Sequence, residues 1–377
     1  MRRVYLDHNA TTPVDPRVLD AMLPYLREQY GNPSSLHWFG QRARAAVEEA
    51  RARVAALVGA EPADVVFTAS GSESDNTALR GVSGRAKEPR RGVVVSAVEH
   101  HAVLHAARAL REEGVPVAVA RADGSGVVDL DDLAAKVTGG TALVSLMLAN
   151  NETGVLQPVA EAARIARDHG ALVHCDAVQA AGRVPVDARA LDVDLLTLSA
   201  HKLHGPKGTG CLVVKRGTPM APLVRGGGQE RNRRAGTENV AGIVGFGEAA
   251  RIAAAELGPE ADRVGALRDR LEARVLALGG AERNGSGPRL PNTTNVSFAG
   301  AEAEDLVVAL DLEGVAVSTG AACSAGAVEP SHVLRAMGFA PERVQSSLRF
   351  SLGRGTTAED VDRAADAVAE VLARLRR

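Results

Sequence analysis

The chain has 377 residues, room for one large domain and a smaller one. Hydrophobic residues make up 45% and charged residues 24%, as in a soluble globular protein, and the net charge of −2 gives no bulk electrostatic reason to bind nucleic acid or an anionic membrane. No apolar run is long enough to span a bilayer, and three cysteines without a CxxC pair argue against a disulfide framework and a structural zinc site.

The first segment, MRRVYLDHNATTP, carries two arginines but no apolar stretch, so it does not read as a signal peptide. A reducing cytoplasm, where a cysteine stays a thiol, is the expected location. The spacing predicts a helix over residues 41–58, with Val47, Ala50, Val54 and Leu57 on one face and Gly59 as a stop. Short apolar runs follow at Val65–Thr68, Val93–Ala97, Val117–Ala120, Ala142–Leu148, Ala171–Cys175, Leu195–Ser199 and Gly210–Val214. Most are separated by helix-like segments such as Ala102–Glu112 and Val159–Arg167. Strands apolar on both faces, alternating with helices, predict an α/β fold with a mostly parallel central sheet covered on both sides. Ligands of such sheets sit beyond the carboxyl ends of the strands. Polar clusters fall there: Ser70–Asn76, Glu99–His101, Asn150–Thr153, Asp176–Gln179 and Ser199–Lys202.

Near residue 259 the texture changes. A helix-like stretch, Asp262–Leu278, precedes shorter strands at Thr294–Phe298, Val315–Ser318 and Ser347–Ser351, and Asn292–Arg354 reads as an α+β unit. The last helix is amphipathic: Thr356 and Glu359 have capping-box spacing, and Val361, Ala365, Val368 and Leu372 form the stripe. The expected division is a large domain at 13–258 and a small domain made of 1–12 and 259–377.

Lysine is scarce, with five residues among the 44 basic ones. One of them, Lys202, stands beside His201 where an apolar strand opens into a Gly-rich turn. Arginine stays charged and cannot form an imine, whereas a desolvated lysine can lose its proton and attack a carbonyl. Asp176 ends the preceding strand. It suits the protonated ring nitrogen of pyridoxal phosphate, which enzymes pair with an aspartate while a lysine binds the aldehyde; a helix N-cap is the alternative. In FTASGSESDN, the N–H groups of Gly71 and Ser72 at a helix start could hold a phosphate or belong to an ordinary cap. His100, at a strand end, could stack on a flat cofactor. His101 and His105 lie four apart, but no carboxylate or thiol stands at ligand spacing, so no metal is expected and both read as helix-surface histidines.

Asn151 could bond a ring substituent or substrate, or merely close a tight turn. The basic loop GGGQERNRRAGTEN could clamp a phosphate or lie solvated on the surface. Cys175 and Cys211 fall in apolar strands and read as inert core thiols. Cys323 differs, because STGAACSAGAVEPSH has little to pack, and a thiol on such a loop can move between an interior site and solvent. Arg349, within an apolar strand, wants a carboxylate: that of a substrate or that of a structural ion pair.

Together, YLDHNATTPVDP, GNPSS, FTASGSESDN, VEHHAV, LANNETG, HCDAVQ, SAHKLHGPKG, GGGQERNRRAGTEN, STGAACSAG and SLRFSLGR resemble the cysteine desulfurases of the NifS/IscS type, within the class V aminotransferase group of fold-type I pyridoxal phosphate enzymes. The resemblance runs from Tyr5 to the final helix, and the length of the Cys323 loop, about 318–331, resembles that of the long-loop members. It implies a pyridoxal phosphate-dependent transferase-like fold. Lys202 would hold the cofactor aldehyde, Asp176 would pair with the ring nitrogen, and Gln179 would approach the ring hydroxyl. His100 would stack on the ring and move protons, and Asn151 would contact the ring oxygen or the substrate. Gly71, Ser72, Ser199 and His201 would hold the phosphate. Thr237 would reach the phosphate of the neighbouring subunit, which implies a homodimer. Arg349 would bind the carboxylate of L-cysteine. The Cys323 thiolate would attack the substrate sulfur, leaving a persulfide and L-alanine, and could contact a transferred iron–sulfur cluster.

Housekeeping members commonly carry a further C-terminal tail that contacts a scaffold protein, and this chain stops at Arg377. The expected sulfur acceptor is thus an iron–sulfur scaffold or a tRNA-thiolation protein. The alternatives are a pyridoxal phosphate aminotransferase or another lyase of the superfamily, which has no use for Cys323, and a non-catalytic sulfur carrier.

Overall fold

A seven-stranded sheet runs through the centre of the computed structural model, which describes residues 3–86, 90–320 and 330–376 and the backbone of 323–324 and 327–328. The strand order is Val65–Thr68, Gly210–Val214, Leu195–Ser199, Leu172–Asp176, Thr141–Ser145, Gly92–Ser96 and Val117–Ala120. Only Gly210–Val214 runs antiparallel to its neighbours; every other pairing is parallel. The inner strands are buried almost end to end, which is why they read as unbroken apolar runs; the edge strand Val117–Ala120 is partly exposed.

A second core gathers Val4, Leu6, Val264, Leu271, Phe298, Leu310, Phe350 and Val368. It lies on a three-stranded antiparallel sheet in the order Ser347–Ser351, Thr293–Phe298, Ala281–Arg283. Strand Val4–Tyr5 joins this region by pairing with Val315–Ala316.

The change in texture near 259 is not a break in the chain. One helix, Val240–Leu276, runs through Pro259. Its first half packs Ile243, Phe246 and Ala250 into the core of the seven-stranded sheet, with Phe67, Val173 and Leu196, and its second half puts Val264, Leu271 and Val275 into the second core. The composition shifts because the packing partner shifts. The capping box of the final helix, Ala358–Leu375, is displaced by one residue from the expected Thr356–Glu359. Thr357 and Asp360 form it, while Thr356 Oγ1 accepts from the Gly353 N–H at 3.0 Å. Adjacent threonines offer both registers, and the second oxygen is already taken. The expected stripe of Val361, Ala365, Val368 and Leu372 is buried. Among the described residues no helix is long and apolar enough to cross a membrane.

Candidate active site

Lys202 ends a single 3-10 turn, Ala200–Lys202, directly after strand Leu195–Ser199. Its Nζ donates to the carbonyl oxygens of Asn9 and Ala10, the latter at 2.8 Å. Neither acceptor is charged. Burial, then the Arg183 and Arg349 guanidiniums, pull the amine down to about 7, against the opposing pull of Asp7 and Asp176. Such an amine is deprotonated in good part near neutrality, as a nucleophile must be.

The lysine lines a cavity of about 310 Å³ together with Gly71, Ser72, His100, Asn151, Asp176, Gln179, Ser199, His201 and Arg349. Asp176 is the last residue of its strand. One of its oxygens accepts from the Val178 N–H at 2.9 Å, and burial lifts the carboxyl to about 6. Beside it lie two buried acids that the sequence did not single out. Glu99 accepts from Ser96 Oγ at 2.7 Å and the Met147 N–H at 2.8 Å, and burial pushes it up to about 8. Asp75 is raised by burial and by the Asp176 charge.

His100 caps helix His101–Glu112, with Nδ1 accepting from the Ala102 N–H at 3.1 Å. A neutral ring therefore carries its proton on Nε2. The ring surface opens into the cavity, yet the packed walls and Lys202 hold the imidazole down to about 4. His201 Nδ1 lies 3.1 Å from Thr11 Oγ1 and is likewise lowered to about 4, first by burial. Helix Gly71–Arg85 starts at the cavity, with Ser70 as its N-cap accepting from the Glu73 N–H at 3.1 Å. Gly71 lets the turn close on its neighbours: a Cβ there would stand 3.0 Å from Val178 Cγ2.

Arg349 realises the ion-pair alternative and lines the cavity as well. Its Nη2 donates to Asp7 Oδ1 at 2.6 Å, its Nη1 donates to the Asn151 carbonyl at 3.0 Å, and its buried Nε has no partner among the described residues. The Gln179 amide is engaged by the protein on both sides: Nε2 donates to the Asn9 carbonyl at 3.0 Å and Oε1 accepts from Arg183. Thr237 lies elsewhere, exposed, beside a different cavity with Thr68, Thr209 and Arg234.

The backbone of Cys323 pairs with Val328 in a two-stranded hairpin; its thiol lies outside the described residues. Gly320 and His332, on either side of that segment, line the Lys202 cavity. His101 is not the plain surface histidine expected, since it lines the cavity and packs on His332 with ring centroids 4.5 Å apart. The sequence offered it no partner; His332, far away in sequence, covers it. Cys175 and Cys211 are buried, and burial raises both thiols.

The donor set fits pyridoxal phosphate: an amine of lowered basicity for the aldehyde, a carboxyl for the ring nitrogen, and a helix N-terminus with Ser72 and Ser199 for the phosphate. The aminotransferase class-V family matches residues 4–364. A cysteine desulfurase of Trichormus azollae is 47% identical over 378 residues, covering 100% of this chain and 94% of the relative. A solved structure titled NifS-like protein superposes with a TM-score of 0.93 at 40% identity, covering 98% of this chain and 99% of its own. Another, SspA in complex with cysteine, has a TM-score of 0.83 at 31% identity, covering 93% of this chain and 98% of its own. The chain belongs to the class-V aminotransferase family and, within it, to the pyridoxal phosphate-dependent cysteine desulfurases.

Proposed function

We propose that the protein converts L-cysteine to L-alanine and takes the sulfur onto Cys323 as a persulfide. One observation carries the reading: Gly320 and His332, which flank the segment bearing Cys323, line the same cavity as Lys202 and Asp176. A plain aminotransferase has no use for a cysteine in that segment.

Pyridoxal phosphate, when bound, supplies a ring that takes up the electron pair left at the substrate α-carbon and so weakens the substrate's carbon–sulfur bond. Lys202 Nζ holds the aldehyde and, when released, accepts the α-proton, for which a pKa of about 7 suits it. Asp176 would pair its carboxylate with the ring nitrogen. Gly71, Ser72, Ser199 and His201 would hold the phosphate, and Asn151 and Gln179 would serve the ring oxygen. His100 would stack on the ring and offer its Nε2 proton. Arg349 binds the substrate carboxylate with a guanidinium now shared with Asp7. The Cys323 thiolate attacks the substrate sulfur. A carbon–sulfur bond breaks, a sulfur–sulfur bond forms, and the thiol proton is matched by the one gained at the β-carbon of alanine.

The chain works as a homodimer in the cytoplasm, with Thr237 reaching the phosphate in the other subunit's cavity. Support comes from Thr237 standing apart from its own chain's cavity, and from the exposed apolar group Tyr30, Leu36 and Trp38, at 77%, 88% and 60% exposure. Residues 13–258 form the cofactor domain, and 1–12 with 259–377 the small domain. The acceptor is an iron–sulfur scaffold or a tRNA-thiolation protein. The test is to incubate the holoenzyme with L-cysteine, assay alanine, and weigh the Cys323 peptide for one added sulfur. Cys323→Ala should keep the cofactor absorbance and lose sulfide release. Full desulfuration by that variant would refute the reading.

A further inference from the structure

Glu152 is a buried carboxyl in the cavity wall, 2% exposed, that the reaction above leaves without a task. Its Oε2 accepts from Ser331 Oγ at 2.5 Å. The same hydroxyl accepts from the Leu334 N–H at 3.0 Å and so caps helix His332–Ala336. At the other end of the Cys323 segment, Gly320 packs on Glu152. A Cβ at Gly320 would stand 3.3 Å from Oε2 and 3.4 Å from Cγ, and its φ of +84° favours glycine. The N–H of Gly320 donates to Ser318 Oγ at 3.0 Å. Ser318 in turn exchanges two backbone hydrogen bonds with Arg349, at 2.7 and 3.3 Å. Both ends of the segment therefore meet at one carboxyl.

That carboxyl is itself held from behind. The Glu152 N–H donates to Asn150 Oδ1 at 2.9 Å, and its carbonyl accepts from Asn295 Nδ2 at 3.3 Å. The carbonyl of the preceding Asn151 accepts from Arg349. Burying a carboxyl is unfavourable unless it is partnered, and burial does raise this one, against the pull of Ser331 and Arg349. Its hydrogen-bonded partner is a hydroxyl at the end of the Cys323 segment, so its contribution is to geometry.

Resting on the function proposed above, we propose that Glu152 is a positioning residue: acting through Ser331 and Gly320, it fixes where the Cys323 segment departs from and returns to the cavity, and so how the thiol meets the substrate sulfur. The test compares Glu152→Ala, Ser331→Ala, the double variant and Glu152→Gln. Two rates are read: single-turnover persulfide formation on Cys323, and alkylation of Cys323 by iodoacetamide without substrate. Each alanine variant should slow persulfide formation by about tenfold and change the alkylation rate, with KM for L-cysteine unmoved. The double variant should be no worse than Ser331→Ala, which by itself removes both the bond to Glu152 and the helix cap. Glu152→Gln, which keeps an acceptor for Ser331, should stay within about twofold of the parent.

Unchanged rates in both alanine variants, additive losses in the double variant, or a raised KM with normal transfer would overturn the inference. Should Glu152→Ala fail to fold, Ser331→Ala alone decides. Should the parent form no persulfide, the function proposed above fails, and the alkylation rates still decide this inference.

Discussion

Arg349 and Asp7 form an ion pair at 2.6 Å in the wall of the cavity that holds Lys202. The guanidinium is buried, and Asp7 is the one carboxylate it hydrogen-bonds among the described residues. A substrate carboxylate bound by this fork must share Asp7's place or take it. Asp7→Asn removes the competing charge and leaves Arg349 with a carbonyl. The apoprotein should lose about 1–3 kcal/mol in a denaturant titration. KM for L-cysteine should fall severalfold, because the substrate then supplies the missing charge. A raised KM would mean that Asp7 aims Arg349 at the substrate instead.

The amine of Lys202, pulled down to about 7, gives a pH signature in the apoprotein. Its capture of pyridoxal phosphate, followed by absorbance, should rise with pH through about 7 and then level. An ordinary lysine would still be rising near 10.5. Stability moves accordingly. Between about 7 and 10.5 the unfolded chain binds a proton that the folded chain does not, so stability climbs with pH over that window. Lys202→Met removes the penalty. It should raise the apoprotein melting temperature most at or below pH 7, with the gain fading toward pH 10.5. A gain independent of pH would show that the amine titrates normally.

Glu99 gives the opposite dependence. Burial lifts its carboxyl from 4.5 to about 8, although Met147 and Ser96 donate to it. A raised carboxyl contributes fully at low pH, and its contribution is lost as pH rises through the folded value. Glu99→Gln keeps an oxygen for both donors and cannot ionise. Relative to the parent it should change little near pH 4.5, grow more stable up to about pH 8, and stay level beyond. Thermal melts across that range decide it, and a flat difference would mean that Glu99 is charged throughout.

The contrast between these residues shows what a sequence can carry. Lys202, Asp176 and Gly71 were legible because each marks an element boundary: Asp176 ends a strand, Lys202 ends the 3-10 turn that directly follows one, and Gly71 starts a helix. In a mostly parallel sheet those boundaries converge at one edge. Glu99, Asp75 and Glu152 fell within polar clusters expected at the strand ends, but their burial was not legible, because a carboxyl is buried by what packs on it from elsewhere. Glu152 meets Ser331 across 179 positions, and Asp7 meets Arg349 across 342. Arg349 did announce that it wanted a carboxylate, but nothing in the string could say that Asp7 had arrived first. Likewise the change of texture near residue 259 was visible in the string, but not that one continuous helix carries it from one core to the other.

The segment that carries Thr237 rests on a different buried pair. Arg51 Nη1 and Nη2 donate to the two oxygens of Glu230 at 2.8 and 2.9 Å, and the Phe67 N–H donates to the same carboxylate at 2.9 Å. Both side chains are nearly sealed from solvent. Glu230, Arg231 and Asn232 hold φ values of 45°, 57° and 63°, each disfavoured by about 1–2 kcal/mol for a residue with a Cβ. Three in a row persist because the carboxylate is anchored on Arg51 and on strand Val65–Thr68. Glu230→Ala strands the Phe67 N–H and leaves the buried guanidinium with Glu48 at 3.1 Å and the Val65 carbonyl at 2.8 Å, so it should cost at most about 3–5 kcal/mol in a denaturant titration. Released from that anchor, the left-handed turn should relax and carry Thr237 with it, and on the role proposed for Thr237 at the neighbouring subunit's phosphate, pyridoxal phosphate should also dissociate faster. A loss below about 1 kcal/mol, the size expected of an exposed pair, would show that the turn holds itself.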